Sequence, residues 1–353
     1  MFRRVALGAG MFALLASHPA IAHHPAGASS TGGSGPIATL AATTLDKGQS
    51  VAGIVLEMVK MNTFSNAQLV DFAGKHIHAH GLDAILAPSL VYAYGVTRDL
   101  TVSARLPYLD RRDIREGSHS HGPAGDTVDH RGGSSGIGDL TLMAQYRFLN
   151  DQRSRMEAAV LLGLQAPTGR TGVRDVNGEL FAAEFQPGSG SWNGLFGLAF
   201  TRRFGAWSFD ASALYRLTTE GTQDTDLGDR LLYNVALSYR VTGGAVPGPM
   251  YHGGPGQKAG HRHHHPHEEL PAPRGPALDL VLELNGEWHA HEATAGVREP
   301  NSGGNVVYLS PGLRLSLDTW STFVSVGLPV INHVNGFQVE PDWRLMTGIA
   351  VNF

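Results

Sequence analysis

Leu278-Asp279-Leu280-Val281-Leu282-Glu283-Leu284-Asn285-Gly286-Glu287-Trp288 decides the fold. Side chains on a strand point alternately to opposite faces. Leu278, Leu280, Leu282, Leu284 and Trp288 therefore share one face, and Asp279, Glu283, Asn285 and Glu287 the other. The same two-faced pattern recurs along the chain. In Ile137–Phe148, Leu140, Leu142, Ala144, Tyr146 and Phe148 oppose Asp139, Thr141, Gln145 and Arg147. In Trp207–Thr218, Trp207, Phe209, Ala211, Ala213, Tyr215 and Leu217 oppose Ser208, Asp210, Ser212 and Arg216. Leu231, Tyr233, Val235, Leu237 and Tyr239 alternate with Asn234, Ser238 and Arg240.

A soluble sandwich hides such apolar faces inside, whereas a membrane barrel turns them out to lipid around a polar lumen. Three features choose the barrel. The segments run about 10 to 13 residues, enough to cross a bilayer when tilted and longer than the usual soluble strand. Aromatic residues gather at their ends: Tyr92, Tyr94, Tyr108, Tyr146, Phe148, Trp192, Trp207, Tyr239, Trp288, Trp320 and Trp343, as interfacial girdles require. The chain closes on Ile349-Ala350-Val351-Asn352-Phe353, which resembles the signal read by the barrel-assembly machinery.

The predicted fold is all-β, a transmembrane antiparallel up-and-down β-barrel of about 12 strands. The strands are expected at 51–62, 82–94, 100–109, 137–148, 156–166, 191–202, 207–218, 229–241, 277–288, 305–317, 319–328 and 342–353. An even count returns both termini to the periplasm. Odd connections should then be long and extracellular: 63–81, 110–136, 167–190, 219–228, 289–304 and 329–341. Even ones should be short: Gly95–Asp99, Leu149–Arg155, Arg203–Ala206 and Asp318. Only the eighth, Thr242–Pro276, breaks the alternation.

Composition agrees. Hydrophobic residues make up 42% of the 353, yet mean hydropathy is −0.11, so apolar and polar residues are interleaved. The 45 Gly and 19 Pro suit strands and turns. Cysteine is absent, which excludes a disulfide scaffold. The net charge of −4 gives no reason to expect a nucleic-acid partner. The N-terminus reads as a signal peptide over 1–22: Arg3 and Arg4, an apolar run from Val5 to Ala16, then Ala20-Ile21-Ala22. Cleavage would leave His23, a periplasmic segment 23–48, and the barrel 49–353 with a disordered His-rich insertion at 243–276. The expected location is the outer membrane of a Gram-negative bacterium, among its lipids.

Several motifs resemble one family. They are Gly136-Ile137-Gly138-Asp139-Leu140-Thr141-Leu142 running into Tyr146-Arg147-Phe148, Ala166-Pro167-Thr168-Gly169, Pro187-Gly188-Ser189-Gly190-Ser191-Trp192, Gly228-Asp229 with Tyr233-Asn234, and Leu284-Asn285-Gly286. Over residues 45–353 the chain resembles the outer-membrane transporter family named for the MetA pathway of phenol degradation. The resemblance implies a barrel with a channel role.

Glu57, Arg105, Asp139, Arg147, Glu157, Asp210, Arg216, Arg240, Asp279, Glu283, Glu287, Arg314 and Arg344 are expected to line the lumen. Gly163, Gly197, Gly312 and Gly348 should face inward and leave room there. Inward changes such as Glu283→Arg or Ser238→Arg should then be milder than outward ones. The 18 His cluster, most densely at His261, His263, His264, His265 and His267, then at His76, His78 and His80. Imidazole suits Cu, Ni and Zn, and the second trio would share one face if extended. No cofactor is required. No His-Glu-x-x-His and no phosphate loop occurs, so the chain is not read as an enzyme. The expected function is an outer-membrane channel passing a small solute, hydrophobic or aromatic. The alternative is a barrel anchoring a metal-binding histidine segment, linked to handling or efflux of metal ions.

Overall fold

The computed structural model describes residues 35–119, 125–243, 276–317 and 319–353. Twelve long strands form one closed antiparallel barrel. They are β1 (Ser50–Asn62), β2 (Ala84–Gly95), β3 (Leu100–Ser118), β4 (Leu140–Asp151), β5 (Met156–Ala166) and β6 (Asn193–Phe204). There follow β7 (Trp207–Leu217), β8 (Arg230–Thr242), β9 (Ala277–His289), β10 (Gly304–Ser316), β11 (Trp320–Val334) and β12 (Glu340–Asn352). Each pairs with its chain neighbours, and β1 pairs with β12, Val51 opposite Asn352, to close the ring. Closure leaves no unpaired edge, which a bilayer does not tolerate. Every expected strand exists, with ends within a few residues except at β3 and β11.

Those two run on beyond the barrel. Leu100–Ser118 pairs first with β4 and then, past Tyr108, with a returning strand Thr127–Ile137. Most of the connection expected at 110–136 is thus a hairpin standing on the rim. A helix, α1 (Asn66–Gly74), interrupts the first long connection. Ser65 caps it: its side chain accepts from the Gln68 amide, and the Gln68 side chain accepts from the Ser65 amide, a reciprocal capping box.

The alternation resolves into an outside and an inside. Leu280, Leu282 and Leu284 lie on the outer surface, Leu282 at 48% exposure, while Asp279, Glu283 and Asn285 are buried, Glu283 at 1%. Tyr94, Tyr146, Phe148, Trp207 and Tyr239 are exposed near the end of the barrel that carries the chain terminus; Tyr108, Trp192, Tyr215 and Trp288 are exposed toward the loop end. An Arg placed on the outer face near mid-height costs about 2–4 kcal/mol. Leu282→Arg and Leu237→Arg are accordingly expected to lower the urea midpoint of the refolded barrel and to deplete its fast-migrating folded form on unheated gels. A midpoint matching wild type for both would contradict the assignment of faces.

The interior is not lined by wall residues alone. Residues 35–45, expected to lie outside the barrel, thread into it and are almost wholly buried. Ile37, Leu40 and Leu45 are buried among inward-facing side chains. At mid-height the Glu283 carboxylate accepts the backbone amides of Ile37, Ala38 and Thr39 at 3.0–3.1 Å. Lower down, Leu40 N donates to Ser212 Oγ, Ala42 N to Thr201 Oγ1 and Leu45 N to Thr101 Oγ1. Gln145 Nε2 donates to the carbonyls of Ala41 and Thr43, both at 3.0 Å. Side chains of the barrel wall thus take the place of strand partners for much of the segment's backbone, as a buried chain requires.

Two corrections follow. The inward glycines do not leave empty space: a Cβ on Gly312 would stand 2.5 Å from Ile37 Cδ1, and one on Gly348 2.8 Å from Phe323 Cζ. The volume they vacate is filled. Nor is the inward face free to change, because Glu283 holds the segment and Ser238 is fully buried. Glu283→Arg is therefore expected to be harmful rather than mild. The histidine segment 261–267 and the leader expected at 1–22 lie outside the described residues.

Candidate functional site

The inner wall is built from charges that mostly pair. Glu57 stands 3.8 Å from Arg105 and 3.9 Å from Arg344. Arg344 also donates to Asn285 Oδ1 at 2.8 Å, and its guanidinium lies 4.4 Å from the centre of the Tyr308 ring. Arg240 pairs with Asp279. Near the terminal end Arg147 bridges Glu157 at 2.7 Å and Asp99 at 2.9 Å, while Arg203 meets Glu157 at 3.1 Å. Asp210 accepts from Thr201 and Ser208. Arg314 lies over Phe323. Side chains so placed fill a barrel, as pairing of buried ions demands.

Three of the motifs quoted above, those of Asp139, Gly169 and Ser189, meet at one point near the loop end. Asp139, which opens β4, accepts Gly169 N at 2.9 Å on one carboxylate oxygen. Its other oxygen accepts Ser189 N at 2.8 Å and Ser189 Oγ at 2.6 Å. Asp139 thus clamps both ends of the connection 167–192. Gly169 and Gly188 pack backbone on backbone there: a Cβ on either would stand about 2.5 Å from the other, so only glycine fits. The connection then folds inward, and Val173, Phe181 and Phe185 pack against Val59, Ile85 and Ile114. A second clamp of the same kind is Asp229, which accepts Thr218 N at 2.8 Å and the Tyr215 hydroxyl.

Beneath the inward-folded connection lies a cavity of about 70 Å³, room for roughly five water molecules. Arg105, Arg111, Arg216 and Arg230 reach it from the barrel strands, Asp139 from the residue before β4, and Glu184 and Glu292 from connections. Its apolar side is made by Leu109, Phe185, Pro187 and Leu227. Burial pushes the Glu184 and Glu292 carboxyls well above the usual range, Glu184 further through the nearby charges of Glu292 and Glu116. Sequence reading named Arg105, Asp139 and Arg216 but missed Arg111, Arg230 and the two loop acids. Arg111 falls beyond the expected end of β3, and Glu184 and Glu292 lie in connections that carry no alternation.

Of the histidines expected as ligands, His76, His78 and His80 lie among the described residues. His76 has a left-handed backbone (φ 56°) just after α1, His78 is exposed, and His80 is buried with its ring against Phe185, centroids 5.3 Å apart. They do not share an extended face, because the helix end turns the chain between them. Among the described residues no three His, Asp or Glu side chains gather as a metal site. Ser134, in the spacing Gly132-Gly133-Ser134-Ser135-Gly136, is buried in a strand and donates to the Phe185 carbonyl. It is no exposed nucleophile.

Among curated proteins none matches this chain. The fold is similar to that of an outer membrane channel from Pseudomonas putida F1, with a TM-score of 0.55, 14% identity, and coverage of 88% of this chain and 97% of that one. More remote are the β domain of the Bordetella autotransporter BrkA (TM-score 0.41, 12% identity, 87% and 100% covered) and the CymD monoaromatic hydrocarbon channel (0.37, 11%, 87% and 88%). Residues 79–265 match the profile of a family described as "Putative MetA-pathway of phenol degradation". That match spans just over half of the 353 residues and takes in the Asp139 clamp, and the chain belongs to that family.

Proposed function

We propose that the protein is an outer-membrane channel for small hydrophobic or aromatic solutes, held shut in this conformation by its own residues 35–45. The observation that carries the reading is the cavity beneath the 167–192 connection, inside a barrel whose outer face is apolar and whose interior also holds residues 35–45. A barrel meant only as an anchor has no need of a lumen stoppered by a separable segment. Ligand sites combine an apolar wall with a few placed polar groups, and this cavity has both. The long connections face the outside and the chain terminus faces the periplasm in this reading. A likeness in fold to a bacterial channel supports it, as does the family's description.

Accumulation of labelled phenol by intact cells tests the reading. Cells that express the protein are expected to take up phenol several-fold faster than cells lacking it, at equal expression of other porins. Equal rates would remove the channel reading while leaving the barrel in place.

A further inference from the structure

Two of the motifs quoted for the family face one another across β8 and β9. Tyr233 stands opposite Gly286, and Asn234 opposite Asn285. On the outer face the Tyr233 ring covers Gly286, which is buried although its neighbours Leu284 and Trp288 on that face are exposed. A Cβ added at Gly286 would collide with the ring, so the close approach requires glycine. The Tyr233 hydroxyl reaches past β9 and donates to Asn305 Oδ1 on β10 at 2.8 Å. On the inner face Asn285 Nδ2 donates to Asn234 Oδ1 at 3.2 Å, and Asn285 Oδ1 accepts from Arg344 at 2.8 Å.

This strand pair has a particular need of such contacts. Four other hairpins close at the terminal end through the short turns 96–99, 152–155, 205–206 and 317–319, and a short turn sets strand register. β8 and β9 are joined by 243–276 instead, and their pairing is irregular at that end, between Arg240 and Thr242. Alternation of faces excludes a slip of one residue, which would turn every apolar side chain inward. It does not exclude a slip of two, because Leu280, Leu282 and Leu284 are equivalent on the outer face. Such a slip would set Tyr233 against Leu284 or Trp288, whose side chains take the space that Gly286 leaves for the ring. It would also carry Glu283 about 7 Å along the barrel relative to β8. The other anchors of residues 35–45, Ser212, Thr201, Thr101 and Gln145, stand on β7, β6, β3 and β4. Glu283 would then no longer meet the amides of Ile37, Ala38 and Thr39.

We propose that Tyr233 with Gly286 and Asn234 with Asn285 form a two-sided register lock of β8 on β9, and that they are positioning residues for Glu283 in holding residues 35–45. The consequence for closure rests on the channel reading, whereas the lock itself is a property of the strand pair.

Cysteine pairs in the full-length protein, which has no native cysteine, read the register directly. Leu237→Cys with Leu282→Cys reports the native one, since these residues are direct partners. Leu237→Cys with Leu280→Cys, or with Leu284→Cys, reports a slip of two, because diagonal neighbours stand too far apart for a disulfide. Under oxidation with copper phenanthroline only the first pair is expected to crosslink while Tyr233 is in place. Tyr233→Ala should raise a slipped product at least fivefold, and Tyr233→Phe, which keeps the ring, should leave the native pattern. Gly286→Ala should deplete the fast-migrating folded band on unheated gels at least fivefold, and adding Tyr233→Ala should restore most of it. This second arm reads folded yield alone and does not depend on a disulfide. Native pairing alone in Tyr233→Ala would overturn the lock, and so would equal depletion by Gly286→Ala with and without the ring. The outcomes separate from the phenol measurement: native pairing in Tyr233→Ala alongside phenol uptake by wild type removes the lock only, and slipped pairing alongside no uptake by wild type removes the channel reading only.

Discussion

Glu283→Ala is expected to detach the tip of the internal segment from the barrel wall. The carboxylate holds three backbone amides, those of Ile37, Ala38 and Thr39. Each buried donor left without a partner costs about 1–3 kcal/mol. Against this stand the buried Ile37, Leu40 and Leu45 side chains, worth about 1.5–3 kcal/mol each. The two sums are comparable over the whole segment but not along it. Near Glu283 the polar loss outweighs the contact of Ile37 alone, whereas Leu45 keeps its bond to Thr101. The tip should therefore leave while the root stays. Because the chain has no native cysteine, Ile37→Cys with Gly312→Cys gives a clean crosslink. Its yield should fall at least fivefold when Glu283→Ala is added, and an unchanged yield would mean that apolar contact alone fixes the segment.

Asp139→Ala is expected to free the connection 167–192. Three hydrogen bonds to one carboxylate are lost, each worth about 1.5–3 kcal/mol because the acceptor is charged. Val173, Phe181 and Phe185 remain packed, so the loop should loosen at its two ends rather than leave altogether. Arg170 and Arg174 lie just beyond the Gly169 end, and trypsin cleavage there should quicken tenfold or more in the purified protein. Asp139→Asn keeps one accepting oxygen and should fall between. Cleavage at the wild-type rate in both variants would reduce the clamp to a bystander.

The barrel was legible because lipid on one side and packed charges on the other impose opposite residue types at a period of two. Leu278–Trp288 states that rule in eleven residues, and Phe209 with Asp210 repeats it. The rim hairpin was not legible: Thr127–Ile137 is rich in Gly and Ser and has no greasy face, and it is extended only because the free edge of Leu100–Ser118 templates it. The helix at Asn66 had a readable mark in Ser65 and Gln68, which the search for alternation passed over. Residues 35–45 carry three large apolar side chains at no regular spacing. Their burial follows from inward-facing Leu161, Leu195, Leu214 and Leu232, which a reading that assigned the lumen to polar residues could not anticipate. Of the cavity, Arg105, Asp139 and Arg216 were visible in alternating segments; Arg111, past the expected end of β3, Arg230 and the acids on connections were not, because the connection side chains converge only once Asp139 has folded the connection in.

Conductance in planar lipid bilayers tests the central claim, a lumen closed by residues 35–45, most directly. Full-length protein is expected to be silent for most of a recording, with brief openings. Protein lacking 35–45, and otherwise folded by its gel mobility, is expected to conduct steadily. Steady conductance of equal size from both proteins would contradict the claim, and so would continued silence after the segment is removed.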